Sequence, residues 1–266
     1  MITIVIPILN RKEVLERTLE SIANSDYRPV NLIMVDNGST DGSMEIAQTF
    51  QRKYLSNDFD IYITEEEKHG ASYARNKGLS RVKTKYVYFF DDDDLFSADF
   101  LSTFEKLLSE FAKETNMPDM VCLTTYMQVG NNKPFIRDYH FKGTNPVCNQ
   151  IIAGPLSTQS VIYRTDFLRS IGGWDENLFV WQDWALGVKA LLHKPLVYWF
   201  TEKSFHTIFV HKNSITLNTN KVHRQHTIDF VRNQLTESKH LSALKIRQLD
   251  LKCHIPKLWM LAKLFK

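Results

Sequence analysis

Residues 86–96 read YVYFFDDDDLF, five apolar or aromatic side chains running straight into four consecutive carboxylates, Asp91 to Asp94. Adjacent like charges repel, and the end of a strand packed on a core is a costly place for them. Four acids at that point imply something cationic to hold. The apolar half of the stretch, KYVYFF, reads as a strand, and what lies around it settles the kind of sheet.

Working outward, the same pattern recurs on the N-terminal side. ITIVIPI (2–8) is short, β-branched and apolar on both faces, as a strand buried in a parallel sheet is. Behind it, Val14, Leu15, Thr18, Leu19 and Ile22 recur at helical spacing within residues 11–24. VNLIMVD (30–36) is a second strand, followed by a helix over Met44–Tyr54. DIYIT (60–64) is a third, followed by a helix over Ala71–Val82. KYVYFF is the fourth, followed by a helix from about Ser97, taken as its N-cap, to Glu114. Strands alternating with helices predict βαβ units and a parallel sheet, whose ligands bind at the carboxyl ends of the strands.

After Asp119 the alternation loosens. MVCLTTYMQV (120–129), TQSVIYR (158–164) and PLVYWFT (195–201) read as strands, and Thr165–Ile171 and Trp184–His193 as short helices. Residues 130–157, with Gly130, Pro134, Gly143, Pro146, Gly154 and Pro155, read as a long irregular loop suited to a lid or an acceptor-binding segment. A helical tail begins near Lys221. The division expected is a domain over 1–220, with a donor half at 1–115 and an acceptor half at 116–220, followed by a tail at 221–266.

The chain has 266 residues, 43% hydrophobic and 24% charged, enough for a sizeable core. A net charge of +3 does not describe a nucleic-acid binder. The charge is uneven, however. Residues 221–266 carry ten Lys or Arg against three Asp or Glu, a net of +7, while the other 220 residues carry 23 against 27. Cys122, Cys148 and Cys253 fit no metal-ligand spacing and read as free thiols in a reducing compartment. MITIVIPILNRK lacks the features of a signal peptide, and no run reaches the roughly 18 apolar residues of a membrane span. The expectation is a cytoplasmic protein.

Several acids fall at strand ends. Asp36 closes the second strand and Asp91 the fourth. Oxygen ligands at this spacing suit Mg²⁺ or Mn²⁺, which take one or two carboxylates together with phosphate oxygens. The alternative is a solvated acidic turn capping the next helix. GxxxxGK[ST], GxGxxG after the first strand, and HExxH are all absent, so a metal-held diphosphate without a P-loop remains. A divalent ion so placed would neutralise charge on a phosphate-bearing ligand.

IVIPILN, VDNGSTDGS, GASYARNKGL, FFDDDDLF, GGWDENLFVWQDWAL and HKNSIT occur in an order that resembles family-2 glycosyltransferases, over roughly residues 2 to 216. The resemblance implies a GT-A fold, a Rossmann-like, mixed, mostly parallel sheet flanked by helices. It also implies an inverting transfer from a nucleotide-diphosphate sugar, a UDP-sugar in first place, to a saccharide or lipid-linked saccharide. Matched position by position, Asp36 is the acid that contacts the donor base. Asp91 and Asp93 are the DxD pair, the first reaching ribose and the second a Mn²⁺ or Mg²⁺ ion. Pro7, Asn10, Asp92, Arg75 and Asn76 fall in the donor-binding segments. Asp183 matches the catalytic base, with Trp181, Gln182 and Trp184 beside it on the acceptor side. His211 falls near the diphosphate as a possible metal ligand. Leu9 stands where an aromatic often stacks on the base, and Gln182 where Glu is usual.

Plainer readings exist for several of these. Asp36 and Asp41 suit turn or cap roles, Arg75 a surface ion pair, Asp183 an N-cap, and Trp174, Trp181 and Trp184 core packing. IPKLWMLAKLFK (255–266) suits either an interfacial segment on anionic lipid or a helix packed on the body. Surface polysaccharide or glycolipid assembly is the setting such an enzyme fits. A metal-dependent nucleotidyltransferase and a non-catalytic carbohydrate-binding module are the rival classes.

Overall fold

The computed structural model describes residues 2–114, 116–137, 145–210 and 221–238. The chain forms two compact units, one from residues 1–138, 158–176 and 196–211, the other from 139–157, 177–195 and 212–266.

The first unit holds the sheet. Its parallel part is built from β1 (Ile2–Ile8), β2 (Val30–Asp36), β3 (Phe59–Glu65) and β4 (Tyr86–Phe89) in the order β3-β2-β1-β4. The helices between them are α1 (Leu15–Ala23), α2 (Ser43–Tyr54) and α3 (Ala71–Arg81), and α4 (Phe100–Glu114) follows β4. β1 is central: Ile4, Val5 and Ile6 are wholly buried between β2 and β4. That is the physical reason for its unbroken apolar run, because a strand covered on both faces has no polar side. The register sets Ile8 beside Asp36 and Val5 beside Phe89, so the three strands end close together.

Beyond β4 the sheet turns mixed. β7 (Val161–Arg164) pairs antiparallel with β4 and with the first residues of β5 (Met120–Val129). β5 also holds a short antiparallel β6 (Phe135–Arg137) and, along its whole length, a parallel β8 (Val197–Val210). β8 runs far past the expected PLVYWFT, with register shifts opposite Leu123/Thr124 and Thr125/Tyr126. α6 (Thr165–Ser170) follows β7 in this unit. Strands from beyond residue 116 therefore share one sheet and one core with β1 to β4, and the compact units do not divide at the expected 115/116 boundary.

α3 lies against β1 where it carries Gly78. A Cβ there would sit 2.3 Å from Val5 Cγ1, so the helix reaches the strand only because the side chain is missing. The expected N-cap of α4 is corrected. Ser97 Oγ accepts the backbone N–H of His206 at 2.6 Å and so ties β8, not the helix start.

The second unit contains α5 (Pro146–Ala153), α7 (Gln182–Leu192) and α8 (Lys221–Glu237), with α7 packed against both others. α5 lies inside the stretch expected to be irregular. Asn145 caps it by accepting from Cys148 N at 3.0 Å, and Gly154 ends it in the left-handed region. α8 falls in this unit with α5 and α7. The rest of the expected tail, including IPKLWMLAKLFK, lies outside the described residues. No helix among the described residues is long and apolar enough to cross a membrane.

Candidate active site

In the first unit, chain segments leaving β1, β2 and β4 are stitched together at the carboxyl ends of the strands. Asp36, the last residue of β2, accepts Gly38 N and Ser39 N through Oδ2 at 3.1 and 3.0 Å. This is an Asx-type turn, and Gly38 supplies its positive φ of 90°. The other oxygen, Oδ1, is buried with no partner among the described residues. An unpaired buried carboxylate oxygen is expensive, and such an atom suggests a ligand group. Asn37 binds Glu66 O, Lys68 O and Gly70 N, fixing the approach to α3. Asn10, at φ 53°, accepts from Thr40 N, while Asp41 accepts from Ser43 N, Ser43 Oγ and Lys12 N. The Ser43 hydroxyl is the main reason the Asp41 carboxyl lies below its ordinary pKa. Pro7 is half-buried in β1 opposite Val35.

The four acids divide into two kinds. Asp92 and Asp94 are buried, at 7% and 1% exposure, while the side chains of Asp91 and Asp93 remain 31% and 18% exposed. Asp92 uses both oxygens on the turn after β1, taking Leu9 N at 3.1 Å and Arg11 Nε at 3.0 Å. Asp94 takes Phe209 N at 2.8 Å on one oxygen and Gln159 Nε2 at 2.5 Å on the other. Burial pushes the Asp92 carboxyl up to about 7 against the pull of Arg11. Burial, then the charges of Asp93 and Asp91, push Asp94 well above the ordinary range. Asp91 is held by Arg75 at 2.9 Å and by Gln159 Nε2 at 2.7 Å. Asp93 has its carboxylate 3.3 Å from an Arg11 terminal nitrogen, and its carbonyl takes Arg17. Asp92, expected against a donor, has each oxygen bonded to the turn after β1.

The end of β8 clasps this turn from the C-terminal side. Leu95 and Thr207 exchange backbone hydrogen bonds at 3.0 and 2.9 Å, and Arg17 lies 4.4 Å over the Phe209 ring. His206 is buried among Tyr88, Phe90, Phe96 and Phe100 and accepts Ser97 N at Nδ1. Burial lowers its pKa to about 3, so it is neutral.

On α3, Arg75 is buried, not a surface residue, and lies 4.5 Å over the Trp174 ring. The Asn76 amide donates to Trp174 O and Glu176 Oε1 and accepts Trp174 N, so it fastens the 174–176 turn, a role the sequence reading did not include. Trp174 is a core residue, edge-on to Phe89 at 5.3 Å.

In the second unit, Asp183 sits in the first turn of α7, whose N-cap is Trp181 at φ 52°. The N-cap reading of Asp183 therefore fails. The carboxylate accepts Trp184 N at 2.8 Å. Trp184 is corrected as an acceptor contact: it is buried, with Nε1–H donating to Gln150 O at 2.8 Å. Trp181 stands edge-on to it at 6.0 Å, and Gln182 donates to Leu178 O. His211 lies outside the described residues.

Residues 3–172, more than half of the chain, match the model of the family described as Glycosyl transferase family 2. The chain belongs to glycosyl transferase family 2. It is 31% identical over 205 residues to the minor teichoic acid biosynthesis protein GgaA of Bacillus subtilis, covering 74% of this chain and 44% of GgaA. Among solved structures it is similar to S. aureus TarS 1–349 in complex with UDP-GlcNAc, with a TM-score of 0.75 and 19% identity over 96% of this chain and 73% of that one. It is also similar to the mannosyltransferase PcManGT from Pyrobaculum calidifontis in complex with GDP-Man and Mn²⁺ (TM-score 0.61, 16% identity, 98% of this chain and 72% of that one). At these identities the likeness shows the fold, the GT-A arrangement expected from the sequence. The chain spans less than half the length of the curated relatives it matches, 15% and 44% of the first two.

Of the four acids, the more exposed pair is Asp91 and Asp93. Among the described residues no three His, Cys, Asp or Glu side chains are grouped to hold a metal ion. Mg²⁺ and Mn²⁺ do not need such a cage when substrate phosphates complete their coordination. The partly exposed carboxylate of Asp93 fits an ion shared with a diphosphate, not one held by the described residues alone. Two contributors escaped the sequence reading. Gln159, which bridges Asp91 and Asp94, carries no local signal. Arg11 had one, because it lies in the first strand-to-helix turn next to PILN.

Proposed function

We propose that this chain transfers a sugar from a nucleotide-diphosphate sugar, a UDP-sugar in first place, to an acceptor hydroxyl, with inversion at the anomeric carbon. The observation that carries the reading is the division of the acidic turn: two buried acids fasten the loop, while the side chains of Asp91 and Asp93 remain 31% and 18% exposed. Asp36, with its buried and unpaired Oδ1, is suited to an N–H of the donor base. Asp91 is suited to the ribose, and Arg75 keeps it in place. A divalent ion held at Asp93, with His211 as a further ligand, would neutralise charge on the leaving diphosphate. Asp183 takes the acceptor proton as the hydroxyl attacks. Trp181 and Gln182 remain the proposed acceptor contacts.

The printed names of relatives support the setting. TarS is solved with UDP-GlcNAc, PcManGT with GDP-Man and Mn²⁺, and GgaA is named for minor teichoic acid biosynthesis. These names support surface polysaccharide assembly, and the acceptor in this reading is a saccharide or lipid-linked saccharide at the cytoplasmic face of a membrane. The +7 charge of residues 221–266 supports a peripheral contact with anionic lipid.

The test is a panel of nucleotide sugars with Mn²⁺, read first by thermal shift and then by transfer. A donor at 100 times its dissociation constant adds about 2.7 kcal/mol to stability. Asp93→Asn should lose metal-dependent donor binding. Asp183→Asn should transfer about 10²–10⁴-fold more slowly while its donor affinity holds. Release of pyrophosphate in place of a nucleoside diphosphate would move the chain to the nucleotidyltransferases. Tight donor binding with no turnover would make it a binding module.

A further inference from the structure

Arg11 brings a cation of the chain's own into the acidic turn. Its backbone is fixed: N–H donates to Ser43 Oγ at 2.8 Å, and its carbonyl accepts Val14 N and Leu15 N at the start of α1. Its side chain is 41% exposed and reaches two carboxylates of different character. Nε is anchored on buried Asp92 at 3.0 Å, an acid whose other oxygen is fixed by Leu9 N. The terminal nitrogen rests at 3.3 Å on Asp93, the more exposed acid of the two. One end of the guanidinium is thus fastened by a part-buried, charge-assisted bond at 3.0 Å, and the other lies on a longer contact at 3.3 Å.

We propose that Arg11 is a displaceable internal cation: its terminal nitrogen occupies Asp93 while no donor is bound, and passes to the donor diphosphate when a divalent ion takes that carboxylate. The proposal rests on the reading of Asp93 as the metal-holding acid. A guanidinium and a dication cannot share one carboxylate oxygen without facing each other's charge across a few ångströms. Displacement needs little movement, because Nε stays on Asp92 while the outer nitrogens turn. A planar fork of N–H donors matches phosphate oxygens, so the displaced end finds a partner on the ligand that brings the ion. The arrangement opposes binding of the ion alone and favours ion and diphosphate together.

This makes the two affinities of an Arg11 variant move in opposite directions, which a merely structural residue would not do. Removing Arg11 removes a competitor for Asp93, so Arg11→Met should bind Mn²⁺ without nucleotide more tightly than the parent. It should bind UDP at saturating Mn²⁺ more weakly. Because the side chain is well exposed, each change is expected at about 3- to 10-fold. Electron paramagnetic resonance of free Mn²⁺ reads the first, and titration calorimetry with UDP the second. Arg11→Gln serves as a second variant if the methionine change unfolds the turn, and a thermal melt reports the fold. Asp93→Asn is the control and should abolish both responses. If the parent binds Mn²⁺ with UDP but Arg11→Met binds the ion no more tightly, or UDP no more weakly, the inference is wrong and the functional reading stands. If the parent binds no Mn²⁺ with or without UDP, the functional reading fails and this inference fails with it.

Discussion

Gly78→Ala tests whether the contact of α3 with β1 governs both stability and the donor side of the site. The added Cβ would lie 2.3 Å from Val5 Cγ1 and 3.4 Å from Val35 Cγ2. Real Cβ atoms do not approach that closely, so something must move. Val5 is wholly buried in the central strand, and its branched side chain has few rotamers to escape to. The helix must therefore lift. Overpacking of this kind costs about 1–3 kcal/mol, which for a chain of this size is roughly 2–4 °C of melting temperature per kcal/mol. Arg75 lies one turn before Gly78 on α3 and holds Asp91 at 2.9 Å, so a lifted helix also loosens the acidic turn. The assay is a double-mutant cycle by urea unfolding. Val5→Ala alone leaves a cavity costing about 1–3 kcal/mol, but in the double variant it removes the methyl that Gly78→Ala strikes. The double variant should be less destabilised than the two single changes predict together, by at least about 1 kcal/mol. Strict additivity, or a Gly78→Ala protein as stable as the parent, would refute the close-contact argument.

Two further outcomes follow from the clasp around the acids. Gln159→Met keeps the side-chain volume but removes the donor that bridges Asp91 and Asp94, leaving two neighbouring carboxylates with less to screen them. Urea unfolding at pH 7 should show a loss of about 2–4 kcal/mol, with weaker donor binding beside it. His206 shapes the acid limb of stability. Its folded pKa of about 3 lies below the ordinary 6.5, so the unfolded chain takes up a proton that the folded chain refuses. Its contribution is complete above about pH 6.5 and drains as pH falls toward 3, at up to about 1.4 kcal/mol per pH unit. His206→Gln retains an acceptor for Ser97 N and should flatten the stability curve between pH 6.5 and 5. An unchanged slope in that window would mean the imidazole is not held neutral.

The local parts of this protein were legible in its sequence because their causes are local. ITIVIPI, VNLIMVD and KYVYFF declare buried parallel strands, since a strand covered on both faces can afford no polar residue, and each is followed by a helical period. The acids were legible for the same reason. Asp36 ends its strand and Asp91 follows the end of the next, where parallel sheets bind ligands. Boundaries set by distant partners were not legible. β8 carries Glu202, Lys203 and two register shifts, so neither alternation nor an apolar run marks its 14 residues, and its pairing with β5 makes it a strand. Trp184 next to Asp183 looked like a sugar contact and is a core residue, because α7 is buried on nearly every side from Trp184 onward and nothing local in the sequence marks that. The same limit governs the acidic run itself. Four identical residues carry no internal distinction. Asp92 and Asp94 turn inward because Leu9, Arg11, Gln159 and Phe209 reach them from as far as 115 positions away, while Asp91 and Asp93, which share Gln159 and Arg11 with them, keep more of their side chains exposed.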